Sequence, residues 1–225
     1  MTQSGVSSLE NIIAKYKAPT ETEARQKRIV SSAPKAASGD FDEYLASWTS
    51  FTGASVKAPL ITRLLQSADE GLCSELAALF QTILEKEPVI AAHIQTRLLA
   101  VLSCDWGVEG EDSARASEVE GILRRARVHS LLRHLLDAVA SGYSGAAIIW
   151  GEGGANIKAF RPIDPTNWTF DLTGNPALIG LNGVERSLGS YHPFQFVFHT
   201  HKLKPGIPSR GGLLRSLVWL YFFKH

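Results

Sequence analysis

Cysteine is nearly missing from this chain, with two thiols, Cys73 and Cys104, among 225 residues. A scaffold held by disulfides is therefore excluded, and no Cys-x-x-Cys or Cys/His cluster has the spacing of a zinc site. Both cysteines fall in apolar periodic stretches and are expected to be buried free thiols. Long apolar runs are missing too. The longest, Leu217 to Phe223, has seven residues, against the ~20 that a membrane-spanning helix needs. The N-terminal MTQSGVSSLE lacks the apolar core of a signal peptide. These absences predict a cytoplasmic protein until it joins something larger. No charge sign dominates either. There are 23 Lys and Arg against 22 Asp and Glu, a net charge of +1, so the whole chain exerts no strong pull toward nucleic acid or membrane. Only the tail is biased. After the last carboxylate, Glu185, come Arg186, Lys202, Lys204, Arg210, Arg215 and Lys224. Such a tail either finds acidic partners elsewhere in the fold or faces nucleic acid.

What is present suits a folded domain. Hydrophobic residues make up 44% and charged residues 20%, and a chain of this length buries a core without staples. Residues 1–57 read as a poorly ordered N-terminal arm. Its segment 31–40, SSAPKAASGD, is a linker by composition. Two short apolar stripes, Leu9-Ile12-Ile13-Tyr16 and Phe41-Tyr44-Leu45-Trp48-Phe51, suggest local packing on something else.

From Pro59 the periodicity is helical. Leu60, Ile61, Leu64 and Leu65 line one helix, which Asp69-Glu70-Gly71 breaks. Leu72, Leu76, Leu79, Phe80, Ile83 and Leu84 line a second. Pro88 opens a third, with Ile90, Ile94, Leu98, Val101 and Leu102 on its apolar face. After an acidic loop from Glu109 to Asp112, Ser113 or Ser117 caps a fourth helix carrying Val119, Ile122 and Leu123. A fifth carries Leu131, Leu132, Leu135, Leu136 and Val139 and stops at Ser141-Gly142, where glycine accepts a left-handed backbone. At Tyr143 the pattern turns extended. Residues 143–162 read as a β-hairpin around Gly151-Glu152-Gly153-Gly154. Trp168 to Phe170 and Phe194 to His199 read as further strands, and Leu213 to Phe223 as the start of a helix. The expected class is α+β: a helical N-terminal half, a small mostly antiparallel β-part, then the start of a long helix. One helix face cannot bury all of Leu217 to Phe223, so a partner or more chain is expected there, and a truncated protein with it.

Candidate chemistry is sparse. His199 and His201 share one face of a strand, and with His192 and Asp164 or Asp171 they outline a metal site in which spacing fixes no third ligand. Structural or surface histidines are the plainer reading. The 151–154 turn lacks GxGxxG spacing and a following helix, so it reads as a hairpin turn and not a phosphate cradle. Ser144 in GYSGA has glycines at the wrong offsets for a nucleophile elbow, and it opens a strand. Arg115, Arg124, Arg125 and Arg127, followed by Arg133, form a basic helix face suited to solvent, to salt bridges between subunits or to phosphates. The expectation is that no residue is catalytic, cofactor-binding or metal-binding, and that the protein is not an enzyme.

The order of several pieces carries a resemblance. Ala68-Asp69-Glu70-Gly71, Glu85-Lys86-Glu87-Pro88, Gln95-Thr96-Arg97 and Trp106 occur in sequence. They are followed by Leu136-Asp137-Ala138, Gly142-Tyr143-Ser144, Trp150, Arg161-Pro162, Phe170-Asp171 and Phe198-His199. Gly211-Gly212-Leu213-Leu214-Arg215, Trp219 and Lys224 close the series. Over roughly 59–225 this resembles the N-terminal part of the Mu-like bacteriophage portal family. The resemblance implies a subunit of a ring of about twelve copies at a capsid vertex. Double-stranded DNA passes through such a ring during packaging and ejection. Its partners would be the terminase motor, the capsid and head-completion proteins, with no membrane, and its place the virion after the host cytoplasm. It further implies that 58–210 is a wing-like α+β domain and 211–225 the start of a stem helix, in a chain shorter than the family and so an incomplete fragment. Two other readings stand beside it: a DNA-binding or regulatory module using the arginine helix, and a metal-dependent hydrolase using His199, His201 and Asp171.

Overall fold

In the computed structural model, residues 57–151, 156–180 and 183–224 are described. Apart from Lys57, the expected arm lies outside them, as do turn residues 152–155.

Among the described residues five helices come first. α1 (Ala58–Asp69) has Pro59 in its first turn and buries Ile61, Leu64 and Ala68. α2 (Ser74–Lys86) is the central one and buries Leu76, Leu79, Phe80 and Ile83, as the periodicity predicts. Leu72 departs from expectation. It precedes the first turn of α2, outside the helical period, and is exposed. α3 (Pro88–Leu102) begins on Pro88 as expected. It is apolar around most of its circumference yet buries only Ile94 and Leu98, leaving Val89, Leu99 and Val101 exposed. Val101 lies in the final turn of α3, where no residue is buried.

α4 (Ser113–Arg125) is capped by Asp112 and by neither expected serine. The Asp112 carboxylate stands one residue ahead of the helix and accepts from the amides of Ala114 (2.9 Å) and Arg115 (3.2 Å). No residue of α4 is buried. The chain then turns through Arg127, at φ 59 and ψ 48, into α5 (Val128–Leu136), which buries Leu131 and Leu135. The expected fifth helix is split at Asp137, and the single turn α6 (Ala138–Ser141) completes it. Gly142 ends α6 with φ 96, as expected. A Cβ there would lie 2.2 Å from the Pro208 carbonyl oxygen, so both backbone and space demand glycine.

Among the described residues six strands and a further helix follow. They are β1 (Tyr143–Trp150), β2 (Ile157–Ile163), β3 (Trp168–Phe170), β4 (Pro176–Ile179), β5 (Glu185–Ser187), β6 (Phe196–Thr200) and α7 (Leu214–Lys224). β1 is central in a three-stranded sheet, antiparallel to β2 and to β6. This is the expected hairpin, in a register that sets Gly145 against Ile163 and Ile148 against Phe160. A second antiparallel sheet runs β3-β4-β5. The fold is α+β, as expected.

One core joins helices and sheets. Trp168 and Phe170 of β3 meet Phe198 of β6 at ring distances of 4.8 and 6.1 Å, and Tyr143 of β1 meets Phe170 edge-on at 4.9 Å. The buried Tyr143 hydroxyl donates to the Pro165 carbonyl (2.9 Å), and burial raises its pKa well above the ordinary value. Gly71, in the turn between α1 and α2, ties the layers together. Its carbonyl accepts from the Phe170 amide and the Thr169 hydroxyl, both at 3.0 Å. Its φ is +93, and a Cβ would strike the Phe170 carbonyl at 1.9 Å. From the other side α7 buries Leu214, Val218 and Tyr221. Arg215 fixes its start with two 2.8 Å bonds to Asp69, and Lys224 fixes its end on the buried Glu87 carboxylate at 2.7 Å.

Candidate functional site

The sequence candidates for metal chemistry do not converge. Asp164 accepts from the Gln81 amide (3.0 Å) and from the Thr166 amide and hydroxyl, so it starts the 3-10 turn that leads into β3. Asp171 accepts from Thr173 and Asn175 in a similar turn. Burial raises the Asp171 pKa, but these hydrogen bonds outweigh it and hold the carboxyl below its ordinary value. His192 packs on Phe194 and accepts from its amide (3.3 Å). His199 and His201 are neighbours at the end of β6. Burial, then the charge of His201, lowers the His199 pKa. Among the described residues no three His, Cys, Asp or Glu side chains gather as a metal would require. Ser144 is buried, and its hydroxyl donates to the His134 carbonyl (2.8 Å). Cys73 is buried as expected. Cys104 is exposed against expectation, because it falls beyond the end of α3.

One partly buried polar centre escaped the sequence reading. His134 on α5 presents Nε2 to the Gly145 carbonyl of β1 (2.9 Å) and Nδ1 to Asp137 Oδ2 (3.5 Å). Burial lowers its pKa, but hydrogen bonds to Asp137 and to the carbonyls of Gly145 and Ile163, with the Asp137 charge, more than reverse this. The net shift is upward from 6.5. The signal was available as His-x-x-Asp, a spacing that puts both side chains on one helix face. His134 and Asp137 line a half-open cleft of about 600 Å³ between the helices and the β1-β2 hairpin, floored by Phe80, Leu84, Ile94 and Leu214.

The surface is more informative than any polar centre. α7 leaves Leu220 (64%) and Phe223 (78%) exposed while its other side is core. α3 leaves Val89, Leu99 and Val101 open. Trp150 and Phe194 form a third exposed apolar spot, joined by the indole N–H donating to the Phe194 carbonyl (2.8 Å). Helices apolar on more sides than the fold covers usually belong to contacts. The arginine helix divides its charges. Arg124 pairs with Glu120 (2.6 Å) and lies 4.6 Å over the Trp106 ring, and Arg115 pairs with Asp112 (3.3 Å). Arg125 and Arg127 have no ionic partner among the described residues and flank a basic cleft with Lys158. No helix among the described residues is long and apolar enough to cross a membrane.

The class defined here is an α+β body whose open apolar helix faces invite contacts. The chain belongs to the Mu phage portal family: the family model described as portal protein of Mu bacteriophage matches residues 77–225. Two curated relatives agree. A Mu-like prophage FluMu protein gp29 of Haemophilus influenzae is 26% identical over 174 residues, covering 72% of this chain and 33% of the relative. The portal protein of Escherichia phage Mu is 27% identical over 177 residues, with the same 72% and 33% shares. The chain thus spans about a third of the length of these relatives.

Proposed function

We propose that this chain is a structural subunit of a phage portal ring, without catalytic activity of its own. The ring sits at a capsid vertex of the virion and conducts double-stranded DNA during packaging and ejection. Residues 58–210 serve as the wing-like body, 211–225 as the entry to the stem helix, and 1–57 as an arm. Its partners are further copies of itself, the terminase motor, the capsid and the head-completion proteins. The family match over 77–225 carries this reading. The outward apolar side of α7 supports it, since a ring subunit must keep such surface for neighbours.

The test is the native mass of the purified chain with negative-stain images of the same sample. Closed rings of about a dozen copies are the expected result for an assembly-competent subunit. A monodisperse monomer at high concentration would remove the self-assembly of this chain from the proposal.

A further inference from the structure

α4 is electrically two-ended. Ahead of it runs the loop Glu109-Gly110-Glu111-Asp112, whose three carboxylate residues are exposed. Glu109 and Glu111 have no ionic partner among the described residues, and Asp112 both caps the helix and meets Arg115. Behind α4 lies a cleft of about 490 Å³ whose lining includes Arg125, Arg127 and Lys158, with Ser130, Leu131 and Phe160 among its other walls. No carboxylate lines it. The start of α5 opens there without a side-chain cap, so free backbone amides add positive potential. Arg127 is also the single non-glycine residue with positive φ among the described residues.

No ionic pair joins loop and cleft within one copy among the described residues. Asp112 stands at the far end of the 13-residue helix, about 20 Å from the cleft at 1.5 Å per residue, and Glu109 and Gly110 lie back along the helix beside Ala116, Ser117 and Glu120. The loop is moreover held along α4, because the Val108 amide donates to Glu120 (3.4 Å) while Trp106 stacks on Arg124. A surface that is acidic at one end and basic at the other, on a helix that buries nothing, is complementary to a second copy displaced along it. Such a contact joins unlike patches. It is heterologous and closes a ring when successive rotations add to a full turn. Duplex DNA fits less well. It carries a charge about every 1.7 Å, so a duplex lying along α4 would run from the cleft onto the carboxylates.

We propose that copies of this chain join head to tail through α4, with the acidic loop 109–112 of one copy seated in the Arg125/Arg127/Lys158 cleft of the next. The proposal rests on the ring-subunit reading and names the contact that builds the ring. The contact supplies register and steering, while the apolar helix faces supply area.

Charge reversal tests it with two variants of the full chain. The first is Arg125→Glu with Lys158→Glu, and the second is Glu109→Lys with Glu111→Lys. All four side chains are exposed, and circular dichroism checks that each variant folds. Native mass is then followed against concentration at low and high salt. Each variant alone should weaken self-association at least ~tenfold. Mixed one to one, the two should recover it, because each loop then finds a cleft of opposite charge. Chains carrying all four reversals should recover it too. Wild-type rings that neither variant disturbs would overturn this contact and leave the ring reading standing. A wild-type chain and a mixture that both stay monomeric would overturn both. Intact assembly with lost binding of a duplex oligonucleotide in the first variant would assign the cleft to phosphates and also overturn it.

Discussion

At the residue scale, His134 is a histidine whose surroundings favour its charged form. Its pKa is raised in the folded state, so it contributes stability that is fully present below the unfolded value near 6.5 and is lost as pH rises through the folded value. The His134→Gln variant should therefore lag the wild type most at pH 6 and least at pH 8.5. The gap at low pH should be about 1–2 kcal/mol, the scale of a partly buried charge-assisted hydrogen bond. Urea midpoints across that range measure it, and a gap independent of pH would assign His134 to packing alone. Gly142 makes a different demand. Gly142→Ala meets both a positive φ and a carbonyl oxygen at 2.2 Å, so a loss above about 2 kcal/mol is expected by chemical denaturation. The sequence announced Gly142 because a helix stop before an extended run needs such a residue. It did not announce the Pro208 carbonyl, which arrives from 66 positions away.

At the element scale, the stripe on α5 was legible because that helix has one buried side, whereas α2 is covered on most sides from Leu76 to Phe80, so its stripe of large residues marked the helix without its full burial. Leu98→Asp in α3 or Leu135→Asp in α5 places a carboxylate where the leucine is about nine-tenths buried. Either should cost more than about 3 kcal/mol and melt the helical layer at ordinary temperature, read by circular dichroism. α3 was half legible. Ile94 and Leu98 point inward as its pattern predicts, but a helix apolar on many sides does not say which side the fold will cover. β4 and β5 were illegible for the opposite reason: at four and three residues they are too short for alternation to register, and neither has the two aromatics that mark the equally short β3. Asp112 was passed over as a cap because it sits in a run of acidic loop residues beside two plausible serines. The end of α7 was read as apolar, and its anchorage was not. Lys224→Met leaves the buried Glu87 carboxylate without its 2.7 Å partner. A loss of about 1–2 kcal/mol is expected, held down because Lys224 itself is largely exposed.

On the scale of the whole molecule, stability and assembly separate. The core lies between helices and sheets, whereas Leu220 and Phe223 point away from it. Replacing both with Gln should change the unfolding free energy by no more than the ordinary surface range of about 0.5 kcal/mol, and so barely move the thermal midpoint. Self-association measured by sedimentation should fall. A large drop in midpoint would instead make those residues part of the fold. The family was legible in the order of short pieces, from Ala68-Asp69-Glu70-Gly71 to Gly211-Gly212. The structure gives those pieces a reason: Asp69 holds Arg215, Gly71 holds β3, and Glu87 holds Lys224. The metal alternative built on His199, His201 and Asp171 was suggested by residue type and by the two-residue spacing of the histidines, with no third ligand fixed. Spacing along a chain cannot tell that Asp171 is committed to its own turn.

The Gly71 carbonyl has a consequence for how the molecule opens. Phe170 closes the edge of its sheet by donating its amide to a helix-hairpin turn. Hydrogen exchange at Phe170 should then keep the slow pace of the amides in α1 and α2, and the three short strands should gain protection far beyond what an isolated sheet of that size would hold. Helix hairpin and small sheet would open together, as one cooperative unit.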